Sequence, residues 1–270
     1  MADRPGRDQA VAALHRIAFL LERAQASAYR SAAYRRAGDV LRDLADDQWA
    51  AHRVAGDWTA LTGVGARTAA VVDDVLAGRT PEVLTDLERE LGERLSRSTD
   101  QGRALREALR GDLPAHPEAS DGATPIQDMA LAALAIGHEY QAITDHSPRL
   151  TVANGLSAAR LRAQVRRIAA VHTGLDTGEQ PLRLLTGIEV DVRDDGGLDQ
   201  EPGLLAELDV VVASVHSKLR MDGAAMTRRM VAAVSNPLTD VLGHCTGRRV
   251  LGRARPPSDF GAAEVFAACA

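Results

Sequence analysis

Four short apolar runs in the second half of this 270-residue chain each lead into a side chain that can ligate a metal. Residues 140–144 are followed by Asp145 and His146, 182–188 by Glu189, 210–215 by His216, and 240–242 lead to His244. Between them, residues 158–171 and 224–234 carry apolar side chains at helical spacing. Strand-length runs alternating with helical segments predict an α/β domain with a parallel sheet. In β/α barrels the active site assembles at the C-terminal edge of the strands, so four separate strands would deliver His or carboxylate groups to one rim.

Neutral imidazoles mixed with carboxylates suit divalent ions, and ions a few ångströms apart can clamp phosphate oxygens while acidifying water. Taken singly, a histidine after a strand is more often a satisfied core or surface residue. The joint placement at successive strand ends is what points to a metal site. The remaining histidines, His15, His52, His138 and His172, sit in no such pattern and read as structural or surface residues.

The first half differs. From residue 7 to about 44 the chain is rich in Ala, Leu and Arg and free of proline. Val11, Leu14, Phe19 and Leu21, then Tyr29, Tyr34, Val40, Leu41 and Leu44, form an apolar stripe, with Arg30, Arg35 and Arg36 facing elsewhere. At 61–65 the run LTGVG precedes a helical pattern of Ala69, Val72, Val75 and Leu76 that Gly78 closes. A helix start of this kind offers free N–H groups to phosphate, and Gly63 and Gly65 would let a nucleic-acid backbone approach. Residues 95–109 read as a charged, helical linker.

Longer motifs carry a family resemblance. GDLPAHPEASDG at 111–122, ITDHS at 143–147, TGIEVD at 186–191, ASVHS at 213–217 and VLGHCTGR at 241–248 resemble, in order, the polymerase and histidinol phosphatase (PHP) family. That family is a distorted β/α barrel of metal-dependent phosphoesterases. The resemblance implies that His116, Asp121, His146, Glu189, His216 and His244 ligate divalent metal, Mn or Zn, and form the catalytic centre, with Arg248 on substrate phosphate. LTGVGARTAAVVDDVLAG at 61–78, preceded by YRSAAYRRAGDVL, resembles the N-terminal helix-hairpin-helix domain of family X DNA polymerases. By that likeness Gly63, Val64, Gly65 and Arg67 would hold the backbone of nicked, gapped or end-containing DNA.

The expected organisation is a small all-helical helix-hairpin-helix domain at 1–95, a linker at 96–111, and an incomplete PHP-like β/α barrel at 112–270. No polymerase domain fits between them. Some relatives of the helical domain use a lysine to form an imine with a sugar aldehyde. Here Val71 takes that position and Lys218 is the sole lysine, so lyase chemistry is excluded from the first half.

Two departures from the family pattern bear on activity. The opening His-x-His motif is Pro114-Ala115-His116, which removes one ligand, and the chain reaches Ala270 without the late Asp-x-His motif. Low hydrolysis is therefore expected from this chain. The expected function is metal-dependent phosphoesterase action, impaired in this chain, on DNA ends or related phosphate esters; the alternatives are a histidinol-phosphatase-like small-molecule phosphatase and a DNA-binding accessory protein without catalysis.

Charge is compatible with this reading. Net charge is −5, with 17 Arg balancing 17 acidic residues in the first 110 positions and 15 basic against 20 acidic beyond them. Arg149, Lys218, Arg220 and Arg253 follow the motifs closely, but ordinary surface roles account for them. Cys245 reads as a small buried hydrophobe. Two cysteines cannot build a disulfide framework, and no apolar run reaches the roughly 20 residues of a membrane span. A cytoplasmic protein is expected.

Overall fold

A proline-free stripe of Ala, Leu and Ile folds as helix wherever its apolar face finds a partner, and the N-terminal sequence supplies several such faces. The structure, a computed structural model, describes residues 4–96, 99–175, 182–250 and 254–270. These divide into two units, Met1–Glu107 and Ala108–Ala270.

The first unit is helical: α1 (Arg4–Arg23), α2 (Ala28–Asp43), α3 (Asp46–Ala55), α4 (Ala66–Leu76), α5 (Glu82–Ser96) and α6 (Asp100–Ala108). Its core gathers Leu14, Ile17, Leu21, Tyr34, Leu41, Trp49, Trp58, Val71 and Val72. The Trp49 and Trp58 rings lie 4.9 Å apart, and the Trp58 indole donates to Asp73 Oδ1 at 3.0 Å. Arg7 is buried across the end of α2, donating to the Leu41, Arg42 and Leu44 carbonyls that the helix leaves unpaired. Two stripe residues are exceptions. Phe19 is half exposed under the Arg16 guanidinium and Tyr29 is 86% exposed. Phe19 lies five positions from Leu14, off the i+3, i+4, i+7 row that Ile17 and Leu21 occupy.

The second unit is an open parallel sheet with helices between its strands. Strands β1 (Gly111–Asp112), β2 (Tyr140–Ile143), β3 (Arg183–Asp191), β4 (Val210–Ser214) and β5 (Val241–Leu242) lie side by side in sequence order. Helices α7 (Ile126–Ala135), α8 (Ala158–Leu175), α9 (Pro202–Leu205) and α10 (Gly223–Val234) connect them, and α11 (Ala262–Ala268) follows. Sequential parallel strands with a helix at each crossover are the repeating unit of a β/α barrel, of which this sheet is an arc.

Register places the site. Side chains alternate across a sheet, so Glu189 and Asp191, two apart on β3, share one face. Pairing sets Glu189 beside Val212 and Asp191 beside Ser214 on β4. The other face packs Ile188, Val190, Val211, Ala213, Met226 and Met230 into the main core. That core anchors β3 and β4 while their polar residues face the other way.

Candidate functional site

Local chain geometry explains how residues distant in sequence meet. Beyond β2 the backbone still runs alongside β3: the Glu189 N–H donates to the Asp145 carbonyl at 3.0 Å and the Ser147 N–H to the Glu189 carbonyl at 3.1 Å. His146 is thereby held against Glu189. Thr144 fixes the loop that brings His116, donating its N–H to the Ala115 carbonyl and accepting from the Ala115 N–H at its hydroxyl. After β4 the His216 N–H donates to Asp191 Oδ1 at 3.1 Å. After β5 comes Gly243, where a Cβ would stand 2.0 Å from Ser214 Oγ. A side chain there would have to displace the Ser214 hydroxyl, so glycine lets the strand end lie close against β4 just before His244.

Glu189 is the hub. His116 Nε2 lies 3.0 Å and His146 Nδ1 3.7 Å from its Oε2, while His216 Nε2 and His244 Nε2 lie 3.2 and 3.1 Å from its Oε1. The four rings interlock: His116 stacks on His146 at 4.4 Å, and His146, His216 and His244 meet edge to face at 5.1 and 4.7 Å. Asp121 stands further out, half exposed, its Oδ2 3.6 Å from His146 Nε2. Burial opposes ionisation of Glu189, yet the imidazoles crowding its oxygens hold the carboxyl far below the usual carboxylate range. Burial also works against the His216 cation, but Asp191 and Glu189 push its pKa up to about 9. His116 is raised against burial by Glu189, whereas burial, with the neighbouring His116 and His216, lowers His146.

Contact by distance is not hydrogen bonding here. Glu189 Oε1, both ring nitrogens of His216, Nδ1 of His116 and of His146, and Ser214 Oγ are buried without a hydrogen-bond partner. Native proteins rarely leave so many buried polar atoms unsatisfied in one place. A divalent ion resolves this, because nitrogen and oxygen lone pairs aimed at a common point are what it requires. Two groups fit, His116 with His146 and Glu189, and Glu189 with His216 and His244, the ligand atoms of each lying within 4.8 Å of one another. Glu189 belongs to both.

The sequence motifs also contained residues whose role only the structure reveals. Asp191, buried, takes the His216 N–H and lies 3.5 Å from its Nδ1, an arrangement that orients a ligating imidazole. Its position two residues after Glu189 was the available signal. Asp145 is spent on structure, accepting from Ser120 at 2.6 Å and Gln164 at 2.7 Å, with burial pushing its carboxyl up. Arg149 pairs with Asp191 and Asp194, and Lys218 with Asp194. Arg220 is exposed, Cys245 packs against the main core, and Arg253 lies outside the described residues.

A cleft of about 720 Å³ opens over the cluster. Asp121, His146, His216 and His244 line its floor, Leu150, Val152 and Leu219 contribute apolar walls, and Arg248, Arg249 and Arg255 are basic. The PHP domain family matches residues 112–248, just over half of the chain, across every one of these motifs but the most distal arginines. The chain belongs to the PHP family. PHP domains are metal-dependent phosphoesterases, in keeping with the donor set around Glu189.

The helix-hairpin-helix domain family matches residues 5–81. There the turn before α4 has Gly63 at φ +100°, a conformation costly for any side chain, and the Gly65 N–H donates to Thr68 Oγ1. Val64 is buried, Arg67 is exposed, and Val71 is buried in the core.

The DNA polymerase/3'-5' exonuclease PolX of Bacillus subtilis (strain 168) is 41% identical over 146 residues, 54% of this chain and 25% of that protein. A protein named "Probable phosphatase" from Acetivibrio thermocellus is 33% identical over 138 residues, 49% of this chain and 53% of its own length. Another from Thermoanaerobacter sp. (strain X514) is 30% identical over 124 residues, 44% and 46%. The chain thus spans between a quarter and about half of these relatives. No helix among the described residues is long and apolar enough to cross a membrane.

Proposed function

We propose that this chain hydrolyses phosphate esters at DNA ends. In this reading His116, Asp121, His146, Glu189, His216 and His244 hold divalent ions, Mn or Zn, and Arg248 receives the ester phosphate. Gly63, Val64, Gly65 and Arg67 hold the DNA backbone. The observation that carries the reading is the set of unsatisfied buried donors around Glu189 beneath a basic cleft, in a chain that also has a helix-hairpin-helix domain. A bound divalent ion supplies Lewis acidity toward phosphate oxygens and lowers the pKa of an attacking water. The chain's own residues do the rest: Glu189 draws the imidazoles together, Asp191 fixes His216, and Arg248 can pair a guanidinium with phosphate oxygens. With DNA as substrate, the cytoplasm is its place of action, where Cys245 and Cys269 stay reduced.

Turnover of 3'-phosphorylated or nicked DNA, compared with small phosphomonoesters under Mn or Zn, tests this. Preference for DNA ends is expected. Preference for monoesters would favour a histidinol-phosphatase-like activity, the reading to which the relatives named as phosphatases lend support. Metal-dependent turnover of neither would leave a DNA-binding accessory protein. Pro114, where the family pattern has a ligating His, supports reduced activity relative to a full ligand set.

A further inference from the structure

The cleft holds more positive charge than one ester phosphate needs. Arg248, Arg249 and Arg255 all line it, all are exposed, and among the described residues none is paired with a carboxylate. Arg149 and Lys218, cations following two other motifs, are neutralised, Arg149 by Asp191 and Asp194 and Lys218 by Asp194. In a chain of net charge −5, three unneutralised guanidiniums on one wall are a local excess that an anionic ligand would complete.

This wall is built rather than loose. Arg249 and Arg255 exchange both backbone hydrogen bonds at 3.0 Å, and Arg255 Nε donates to the Gly247 carbonyl at 2.6 Å. The Ser258 N–H donates to the Thr246 carbonyl at 2.7 Å and its hydroxyl to the Leu219 carbonyl at 2.8 Å. Backbone bonds thus fix where the arginines emerge, and among the described residues the Arg249 side chain has no hydrogen bond of its own.

Facing the same space is an apolar surface. Leu150, Val152 and Ala153 line the cleft from the tight turn Thr151–Ala153, and Val152 is 92% exposed. A valine so exposed gains nothing from the fold; beside a cleft it can cover the face of a base or sugar. At about 720 Å³ the cleft falls in the size range of sites that enclose whole organic ligands rather than a lone phosphate.

We propose that Arg249, with Arg255 behind it and Val152 opposite, forms a second subsite for the phosphodiester and nucleoside adjoining the reacting phosphate. The substrate is then an oligonucleotide end of at least two nucleotides. This rests on the DNA-end reading above and gives it a residue-level discriminator: a monophosphate fills the floor and Arg248, and leaves Arg249 without a ligand.

Direct binding to the full chain tests it, by calorimetric titration with thymidine 3'-phosphate and with the thymidine dinucleotide 3'-phosphate. The dinucleotide should bind at least about tenfold more tightly, as one charge-assisted contact provides. Arg249→Gln should abolish that preference and leave thymidine 3'-phosphate binding unchanged, and Val152→Ser should weaken the dinucleotide alone. Arg67→Glu, in the other unit, should not alter the preference. Equal affinity for the two ligands, an equal effect of Arg249→Gln on both, or loss of the preference in Arg67→Glu would each overturn the proposal. Turnover is read separately. Tenfold preference without hydrolysis of any DNA end refutes the enzymatic reading and keeps the subsite, whereas hydrolysis without preference does the reverse.

Discussion

Arg229 Nη1 donates to the Ser217 carbonyl at 2.9 Å, which ties a helix interior to the residue after His216. The same guanidinium reaches the Arg193 carbonyl through Nε at 2.9 Å, the Val192 carbonyl, and Ser217 Oγ at 3.2 Å. It is 1% exposed, and burial lowers its pKa against the pull of Asp191 and Asp194. The segments it joins, Val192–Arg193 after Asp191 on β3 and Ser217 after His216, adjoin the ligands, so Arg229 sets their spacing. Arg229→Met takes the donor from the Val192 and Ser217 carbonyls, while the Arg193 carbonyl keeps the Gly196 N–H at 2.9 Å. A loss of about 2–4 kcal/mol in unfolding free energy is expected, at roughly 1–3 kcal/mol for a buried unsatisfied group with partial relaxation. Metal affinity should fall too, with Arg229→Lys intermediate in both; metal titration of Arg229→Met unchanged from wild type would remove Arg229 from the site's support.

Because Glu189 belongs to both candidate ligand groups, the ligand variants should differ in kind. Glu189→Ala should lose all bound metal, whereas His244→Ala and His116→Ala should each lose part of it. His216→Ala should lose the metal of the His244 group. Elemental analysis after dialysis gives the stoichiometry. Full occupancy in Glu189→Ala would show that the hub does not ligate.

The strand-end histidines and Glu189 were legible because each follows an apolar run, and a sheet with sequential parallel order brings such ends together. Asp191 was less so: one residue in two on β3 faces the site, but no rule distinguishes a ligand from the group that orients one. Arg229 was not legible at all. In α10 it stands beside Arg228, and an Arg pair in a helix reads as a solvated face until packing shows which carbonyls lie in reach. β1, two residues long, offers no periodicity to read. Phe19 and Tyr29 failed for the opposite reason, since aromatic character was given more weight than helical phase.

Proton linkage gives a sign. With its pKa pushed up to about 9, His216 carries a proton at pH 7 when no metal is present, and a metal must displace it. Binding should release protons at pH 7, and apparent affinity should rise with pH until about 9. In the metal-free protein the same raised pKa contributes stability that is full below about 6.5 and is lost as pH rises through 9. Titration in buffers of differing ionisation enthalpy reads the proton count; zero release at pH 7 would contradict a protonated His216.

The helical unit should bind DNA without sequence preference and lose affinity with salt, since its proposed contacts are to phosphates. Arg67→Glu should weaken binding of nicked or gapped DNA and reduce the salt slope by about one. Val71 is buried where lyase relatives place a nucleophilic lysine, so borohydride should trap no adduct with an abasic site. An adduct surviving Lys218→Met would overturn the exclusion of imine chemistry from the helical unit.

Pro114 offers the most direct test of how far the ligand set limits activity. It is exposed in the loop after β1, two residues before His116, and its side chain supplies no lone pair to a metal. The Ala115 backbone between them is clamped by Thr144, so a side chain at 114 starts from a fixed point while His116 continues to reach Glu189. Replacing proline frees the unfolded chain, at a cost of roughly 0.4–1 kcal/mol in stability. An added imidazole should more than offset this when metal is present, by raising the affinity of the His116 and His146 group. Pro114→His should therefore bind Mn or Zn at least about tenfold more tightly, since one extra ligand is worth more than the roughly 1.4 kcal/mol that a tenfold change requires. Hydrolysis should rise with occupancy if incomplete ligation is what restrains it. The unmodified chain is the control: if it already turns over phosphate esters rapidly with Mn or Zn and loses this in His146→Ala, the present ligands suffice and Pro114 is no defect.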